Sequence, residues 1–154
     1  MLKTGHIQLA SHGTPGGRAA DAVAVALCTP EAELFHLTVV PDLWRGMMGD
    51  DWLNNASTRD DYGRHVENEL AREMEEHRRD VEAAVTERGA RYRVRAVIGK
   101  PAACLIECAA EVRPDLVVIG SPRPRGSPGL RSRMAIDDLV KALAAPLLVV
   151  PYPR

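Results

Sequence analysis

The feature of this sequence that most restricts its fold is the alternation of short apolar runs with segments of helical periodicity. Apolar, β-branched runs that end in turn residues are typical of strands. The run "DLVVIG", for example, has the continuous apolar character of a strand that is buried on both faces. The five predicted strands are 6–10, 32–40, 91–99, 115–120 and 146–151. Strands that alternate with helices predict an α/β fold, with a mostly parallel sheet and helices on both faces.

Four segments between these strands have the spacing of helices. Thr14 is placed to cap the first helix, with Pro15 at its first position. Gly89 is placed to end the second. The predicted helices are 18–28, 64–88, 101–112 and 137–144, and an irregular stretch, 41–63, precedes the second. The inward residues of the third are expected to be Leu105, Ile106, Ala109 and Val112.

Length and composition limit the class of protein. A chain of 154 residues fits a single domain spanning 1–154. The net charge of −1 attracts neither nucleic acid nor anionic lipid. Three cysteines do not make a disulfide framework, and the first residues lack the apolar core of a signal peptide. We therefore expect a cytoplasmic protein that binds neither nucleic acid nor a membrane.

The loops after the first and fourth strands are the expected ligand site. In open parallel sheets, ligands bind beyond the carboxyl ends of the strands, where the strand order reverses. The loops "SHGTPGG" and "SPRPRGSPGLRSRM" meet there. The candidate ligand-binding residues are Ala10, Ser11, His12, Gly13, Val39, Gly120, Ser121, Arg123, Arg125, Gly126, Arg133 and Met134.

Most of the chain resembles the universal stress protein family. The segments that carry the resemblance are "HIQLASHGTPGGRAADAVAVALC", "ELFHLTVV" and "KPAACLIECAAEVRPDLVVIGS", with "MAIDDLVKALAAPLLVVP" near the end. The resemblance implies a Rossmann-like, five-stranded parallel sheet of strand order 3-2-1-4-5. It also implies a homodimer that forms through the last strand, at Leu147, Leu148, Val149 and Val150.

The loop after the fourth strand departs from the family's nucleotide-binding pattern. Members that bind ATP carry Gly-x-x-Gly, nine residues, and then Gly-Ser or Gly-Thr. The first glycine matches Gly120, but the second falls on Arg123, and the final pair falls on Arg133 and Met134. The family's acidic residue after the first strand falls on His12. The resemblance therefore implies a degenerate ATP site.

Three interpretations of this loop remain open at this point. We favour a solvated loop without a cofactor, in a non-catalytic regulatory module of the stress response that acts with an unidentified protein partner or alone. In the second interpretation, ATP or another anion binds through the guanidinium groups of Arg123, Arg125 and Arg133. The third is slow ATP hydrolysis, which requires a metal carboxylate where His12 stands.

Other reactive side chains are expected to be structural. Ser11 and His12 are neighbours in an extended segment and point to opposite faces, and no oriented acid is identifiable for a hydrolase site. Cys104 and Cys108 share a helix face, where two thiols are a weak metal signal and are better explained as small apolar fillers. His77 lies on an apolar stripe and is expected to be a half-buried core residue or a dimer contact.

Two further segments bear on assembly. The stretch 41–63 contains Trp44, Met47, Met48, Trp52 and Leu53. We expect these side chains to pack against the body of the protein, and a lid over the crevice or a dimer surface are the alternatives. The last strand is apolar, and an unpaired apolar edge invites aggregation, which pairing with a second copy would prevent.

Overall fold

The computed structural model describes residues 3–11, 15–41, 56–121 and 134–153. Its strands are β1 (His6–Ala10), β2 (Glu33–Pro41), β3 (Arg91–Gly99), β4 (Leu116–Gly120) and β5 (Leu147–Val150). They form one parallel sheet of order β3-β2-β1-β4-β5. The strand order is the expected one, and each strand boundary lies within one residue of its predicted position.

The helices in the described residues are α1 (Pro15–Leu27), α2 (Ala56–Glu87), α3 (Pro101–Val112) and α4 (Ile136–Ala142). The predicted start of α2, at residue 64, was wrong by eight residues. Residues 56–63 are mostly polar and lack the apolar periodicity that predicts a helix. Once a helix has started, each further residue adds one backbone hydrogen bond, so the helix can extend through a segment without that periodicity. Gly89 follows α2 with a φ of 78°, as its predicted role requires. No helix in the described ranges is long and apolar enough to span a bilayer.

Two apolar layers cover the two faces of the sheet. Helices α1 and α2 pack on one face, and α3 and α4 pack on the other. Alternate residues of each strand point to opposite layers, because the side-chain period of a strand is two. The first layer is built around Ile7, Leu9, Ala20, Ala24, Leu34, Val81, Val85, Leu116 and Val118. The second is built around Phe35, Leu37, Val39, Leu105, Cys108, Val117, Ile119 and Leu139.

The inward face of α3 is partly as predicted. Leu105 is fully buried, and Ile106 and Val112 are partly buried and pack against the second layer. The other fully buried residues of the helix are Pro101, Ala102 and Cys108. Burial raises the pKa of the Cys108 thiol, which keeps it protonated. This favours the role of apolar filler over that of metal ligand.

The edge strand β3 carries a row of arginines on one face. Arg93 and Arg95 cover the ring of Phe35, with their guanidinium carbons 5.9 and 5.4 Å from the ring centroid. Tyr92 packs against the layer formed with α1 and α2. Val94 shares a strand face with Tyr92 but is 41% exposed. An edge strand pairs on one side only, so neighbouring elements cover it incompletely.

Candidate functional site

A crevice lies at the carboxyl ends of β1, β2 and β4. β1 pairs with β2 on one side and with β4 on the other, so the connections leave β1 in opposite directions and open a gap there. The lining residues described by the structure are Ala10, Ser11, Gly17, Leu37, Val39, Pro101, Ile119, Gly120, Ser121 and Met134.

Half of the candidate residues from the sequence are placed in this crevice. These are Ala10, Ser11, Val39, Gly120, Ser121 and Met134. The others, His12, Gly13, Arg123, Arg125, Gly126 and Arg133, lie outside the described residues, as do Trp44, Met47, Met48, Trp52 and Leu53 of the predicted covering segment. The sequence analysis missed Gly17, Leu37, Pro101 and Ile119. Leu37 had a usable signal, because it shares a strand face with Val39.

The crevice has apolar walls and a polar rim. The Ser11 amide donates to the Leu37 carbonyl at 3.3 Å, and the Ser121 amide donates to the Val150 carbonyl at 2.8 Å. These bonds extend the sheet ladder by one step beyond β1 and β4 and hold both serines at the rim. An apolar pocket with a few fixed polar groups is the usual composition of a small-molecule site.

Gly120 is required by the packing of α1 against β4. A Cβ at this position would overlap the backbone of Gly16, including its carbonyl oxygen. A Cβ on Gly16 would in turn lie 3.2 Å from the Ser121 carbonyl oxygen. Gly120, the first glycine of the loop pattern, is therefore explained by this close approach alone, whether or not a phosphate binds beside it.

The remaining described part of the loop has no hydroxyl group. Met134 lines the crevice and packs against the layer formed with α3 and α4. Ala135 stands at the N-cap of α4 and provides no side-chain hydrogen bond. The first turn of α4 carries Asp137 and Asp138. Within residues 134–138, no side chain can donate a hydrogen bond to a phosphate.

A buried polar cluster lies directly beneath the rim of the crevice. Asp21 of α1 accepts a hydrogen bond from the Ser11 hydroxyl at 2.5 Å, and its second oxygen lies 2.6 Å from Nε2 of His77 in α2. Nε2 of His36 in β2 lies 2.9 Å from the Ser11 Oγ. Nδ1 of the same ring lies 2.7 Å from the Tyr92 hydroxyl. Asp21, His36 and His77 are 8%, 0% and 2% exposed.

One arrangement of protons satisfies every contact in the polar cluster. Burial raises the pKa of Tyr92, so its hydroxyl remains protonated and donates to Nδ1 of His36. Nε2–H of His36 then donates to Ser11, whose own proton goes to Asp21. Nε2–H of His77 donates to the other Asp21 oxygen. Each of these donors therefore has an acceptor, as buried polar groups require, and the series of hydrogen bonds ends at the Asp21 carboxylate.

This polar cluster corrects two expectations from the sequence. His77 was expected to be half-buried, but it is fully buried and hydrogen-bonded. No acid was identifiable near Ser11, but Asp21 contacts its hydroxyl directly. A serine nucleophile requires a histidine that accepts its proton. In the arrangement above, Ser11 donates to a carboxylate and His36 donates to Ser11, so the contacts do not form a catalytic triad.

Comparisons with solved structures agree with this architecture. The universal stress protein UspA from Lactobacillus plantarum is 17% identical and superposes with a TM-score of 0.67, covering 94% of this chain and 95% of that one. A family protein from Arabidopsis thaliana with AMP bound is 17% identical, with a TM-score of 0.57 and coverage of 96% and 91%. A universal stress protein in complex with cAMP is 18% identical, with a TM-score of 0.53 and coverage of 96% of both chains.

The comparison with curated protein sequences finds no match. The sequence model of the universal stress protein family, in contrast, matches residues 6–151. This match covers all five strands of the sheet. The chain therefore belongs to the universal stress protein family.

Proposed function

We propose that this protein is a non-catalytic binding module that takes an adenine mononucleotide, in preference to ATP, in the crevice between β1 and β4. The observation that carries the proposal is the composition of the crevice. Leu37, Val39 and Ile119 offer apolar contacts for a base, and Ser121 lies at the polar rim beside them. The complexes of similar structures with AMP and with cAMP support this class of ligand.

The preference for a single phosphate follows from the loop after β4. A triphosphate needs several backbone amides that are closely accessible, which glycines provide. Here, Arg123 and Arg133 replace two of those glycines, and Met134 replaces the hydroxyl-bearing residue. The arginines remain suited to one phosphate group, because a guanidinium fork binds two of its oxygens at once.

The non-catalytic part of the proposal rests on the side chains at the crevice. Its described lining contains no carboxylate, histidine or lysine. General acid–base catalysis needs such a group within hydrogen-bonding reach of the reacting atom. The protein would therefore act by changing its conformation or its partners when the ligand binds, in the stress-related role of its family.

The first prediction concerns ligand binding. We expect AMP and cAMP to raise the melting temperature and to release or absorb heat in calorimetry, while ATP binds more weakly with or without Mg²⁺. Ligand at 100 times its dissociation constant adds about 2.7 kcal/mol of stability, which is roughly 5–10 °C for a domain of this size. Prolonged incubation with ATP should yield no ADP above the level of the buffer.

A matched pair of variants locates the binding. Val39→Phe fills the crevice and should abolish the AMP-dependent shift, whereas Val140→Phe adds the same ring at a position that is 68% exposed and should leave the shift intact. Equal shifts in both variants would place the ligand elsewhere. Tight ATP binding that exceeds that of AMP would refute the proposed preference.

We also propose that two copies pair through β5. This strand forms one edge of the sheet, and Leu147, Leu148 and Val149 are only partly buried. The carbonyls of Pro146 and Val150 accept hydrogen bonds from the β4 side. The backbone groups of Leu147 and Val149 therefore face away from the sheet and are available to a second copy.

The second prediction tests this pairing. Val149→Pro removes one outward N–H without removing a bond to β4, so it should convert dimers to monomers in light scattering coupled to size exclusion. The control is Val94→Pro in β3, the opposite edge, which should leave the dimer intact. A wild-type protein that is monomeric at all concentrations, or a Val149→Pro variant that remains dimeric, would contradict the pairing.

A further inference from the structure

We propose that the buried polar cluster is a binding site for a first-row divalent metal ion, with Asp21, His36 and His77 as ligands. One ligand atom from each of these residues lies within 4.8 Å of the others. Two imidazoles and one carboxylate are a ligand set that suits zinc and its neighbours in the first transition row. The inference does not depend on nucleotide binding.

The three ligands come from three separate elements, so the fold itself brings them together. Asp21 is on α1, His36 is on β2, and His77 is on α2. The two imidazole rings lie at 87° to each other, with their centroids 5.1 Å apart. They converge at the interface where both helices meet the sheet. Burying side chains as polar as these opposes folding unless each is hydrogen-bonded or coordinates a metal, and coordination of one ion by all three would meet that requirement as their present hydrogen bonds do.

The surroundings of His36 favour metal binding through Nε2. The Tyr92 hydroxyl lies 2.7 Å from Nδ1, on the far side of the ring. In metal sites, the second nitrogen of a ligating histidine usually donates its proton to an oxygen, which fixes the ring and its tautomer. With the proton moved to Nδ1, Tyr92 accepts that bond and Nε2 presents a lone pair to the ion.

An ion requires the Asp21–His77 pair to open slightly and the most widely separated ligand atoms, which lie up to 4.8 Å apart, to close by up to about 1.5 Å. In a tetrahedral site with bonds of 2.0–2.1 Å, the ligand atoms are separated by about 3.3 Å. Asp21 and His77 are now 2.6 Å apart, so this pair would open by less than 1 Å by this estimate, and His77 would give up its Nε2 proton. The Ser11 Oγ, which contacts both Asp21 and His36, stands beside the ion as a fourth donor.

Ser11 also provides the route of entry. It is 5% exposed and lines the crevice on one side, while its hydroxyl belongs to the polar cluster on the other. The proposed path of an ion from the crevice to the site therefore passes the Ser11 side chain. Ser11 would then be the residue that separates the ion from a ligand bound in the crevice.

The test is titration of the full-length, chelator-treated protein with zinc chloride in a calorimeter and with cobalt chloride in a visible spectrometer. We expect one ion per chain and cobalt absorption bands of a low-coordinate site. His36→Gln and His77→Gln should each weaken zinc binding by more than about 100-fold, since loss of an outer partner alone weakens it by 10–100-fold. His6→Gln removes a histidine outside the polar cluster and should retain full affinity.

Two results would overturn the proposal. One is the failure of the wild-type protein to bind zinc or cobalt, which would leave the polar cluster as a hydrogen-bonded network only. The other is retention of stoichiometric binding in both cluster variants. If these variants fail to fold, X-ray absorption of the wild-type zinc complex decides the question. Two imidazoles with oxygen donors support the site, and sulfur ligands or a single imidazole refute it.

Discussion

Replacing Asp21 with alanine is expected to lower the free energy of unfolding of the metal-free protein by about 2–6 kcal/mol. The carboxylate accepts hydrogen bonds from the Ser11 hydroxyl and from His77. Its removal leaves two buried donors without an acceptor, each of which costs about 1–3 kcal/mol. Chemical denaturation followed by circular dichroism, in the presence of chelator, measures the change.

The matched control for this variant is Asp80→Ala. Asp80 also links α1 and α2, through a contact of 3.4 Å with Arg18, but its side chain is 65% exposed. Exposed ion pairs contribute less than about 1 kcal/mol, so this variant should be close to wild type. Equal effects of the two substitutions would mean that the buried carboxylate has no special role. Asp21→Asn, which keeps one acceptor, should lie between alanine and wild type.

Substitution of Gly120 by alanine is the second large effect that we expect. The added methyl group would overlap the backbone of Gly16, which cannot rotate away as a side chain can. Overpacking of this kind costs about 1–3 kcal/mol of stability. Because the clash is with backbone atoms, we expect a cost near the upper end of this range. The melting temperature should fall by roughly 5–10 °C. Displacement of α1 should also reduce AMP binding, because Gly17 lines the crevice.

Gly5→Ala is the corresponding control. Gly5 also borders a strand, but a Cβ there would meet only the Asp115 carboxylate, at an ordinary contact distance of 3.5 Å. The substitution should be neutral or slightly stabilising, because alanine restricts the unfolded chain more than glycine does. A Gly120→Ala variant as stable as Gly5→Ala would show that α1 does not pack against β4 as closely as described.

The sheet was predictable from sequence because its signals are local. "HIQLA" and "RYRVRAVIG" end at turn residues, and the continuous apolar run before Gly120 identifies a strand covered on both faces. The start of α2 was not predictable, because residues 56–63 are helical without an apolar period. The inward face of α3 was predicted in part. Leu105 and Cys108 were expected in the core, whereas the burial of Pro101 and Ala102 was not predicted.

The polar cluster could not be derived from sequence, because its five members come from four separate elements and from the residue after β1. A partial signal existed, however. Asp21 lies in an Ala/Val-rich helix, His36 interrupts an apolar strand, and His77 stands on an apolar stripe. Each of these polar residues stands among apolar ones in the sequence, and buried polar groups require partners. That rule would have indicated a common site without giving its geometry.

The most direct measurement of the central claim is a nuclear magnetic resonance titration of ¹⁵N-labelled protein with AMP and, separately, with ATP. The account predicts that AMP shifts the amide signals of Ser11, Gly120 and Ser121 at lower concentrations than ATP does, and leaves the signals of α2 near His77 largely unchanged. Amide shifts confined to other parts of the sheet, or saturation by ATP before AMP, would contradict it.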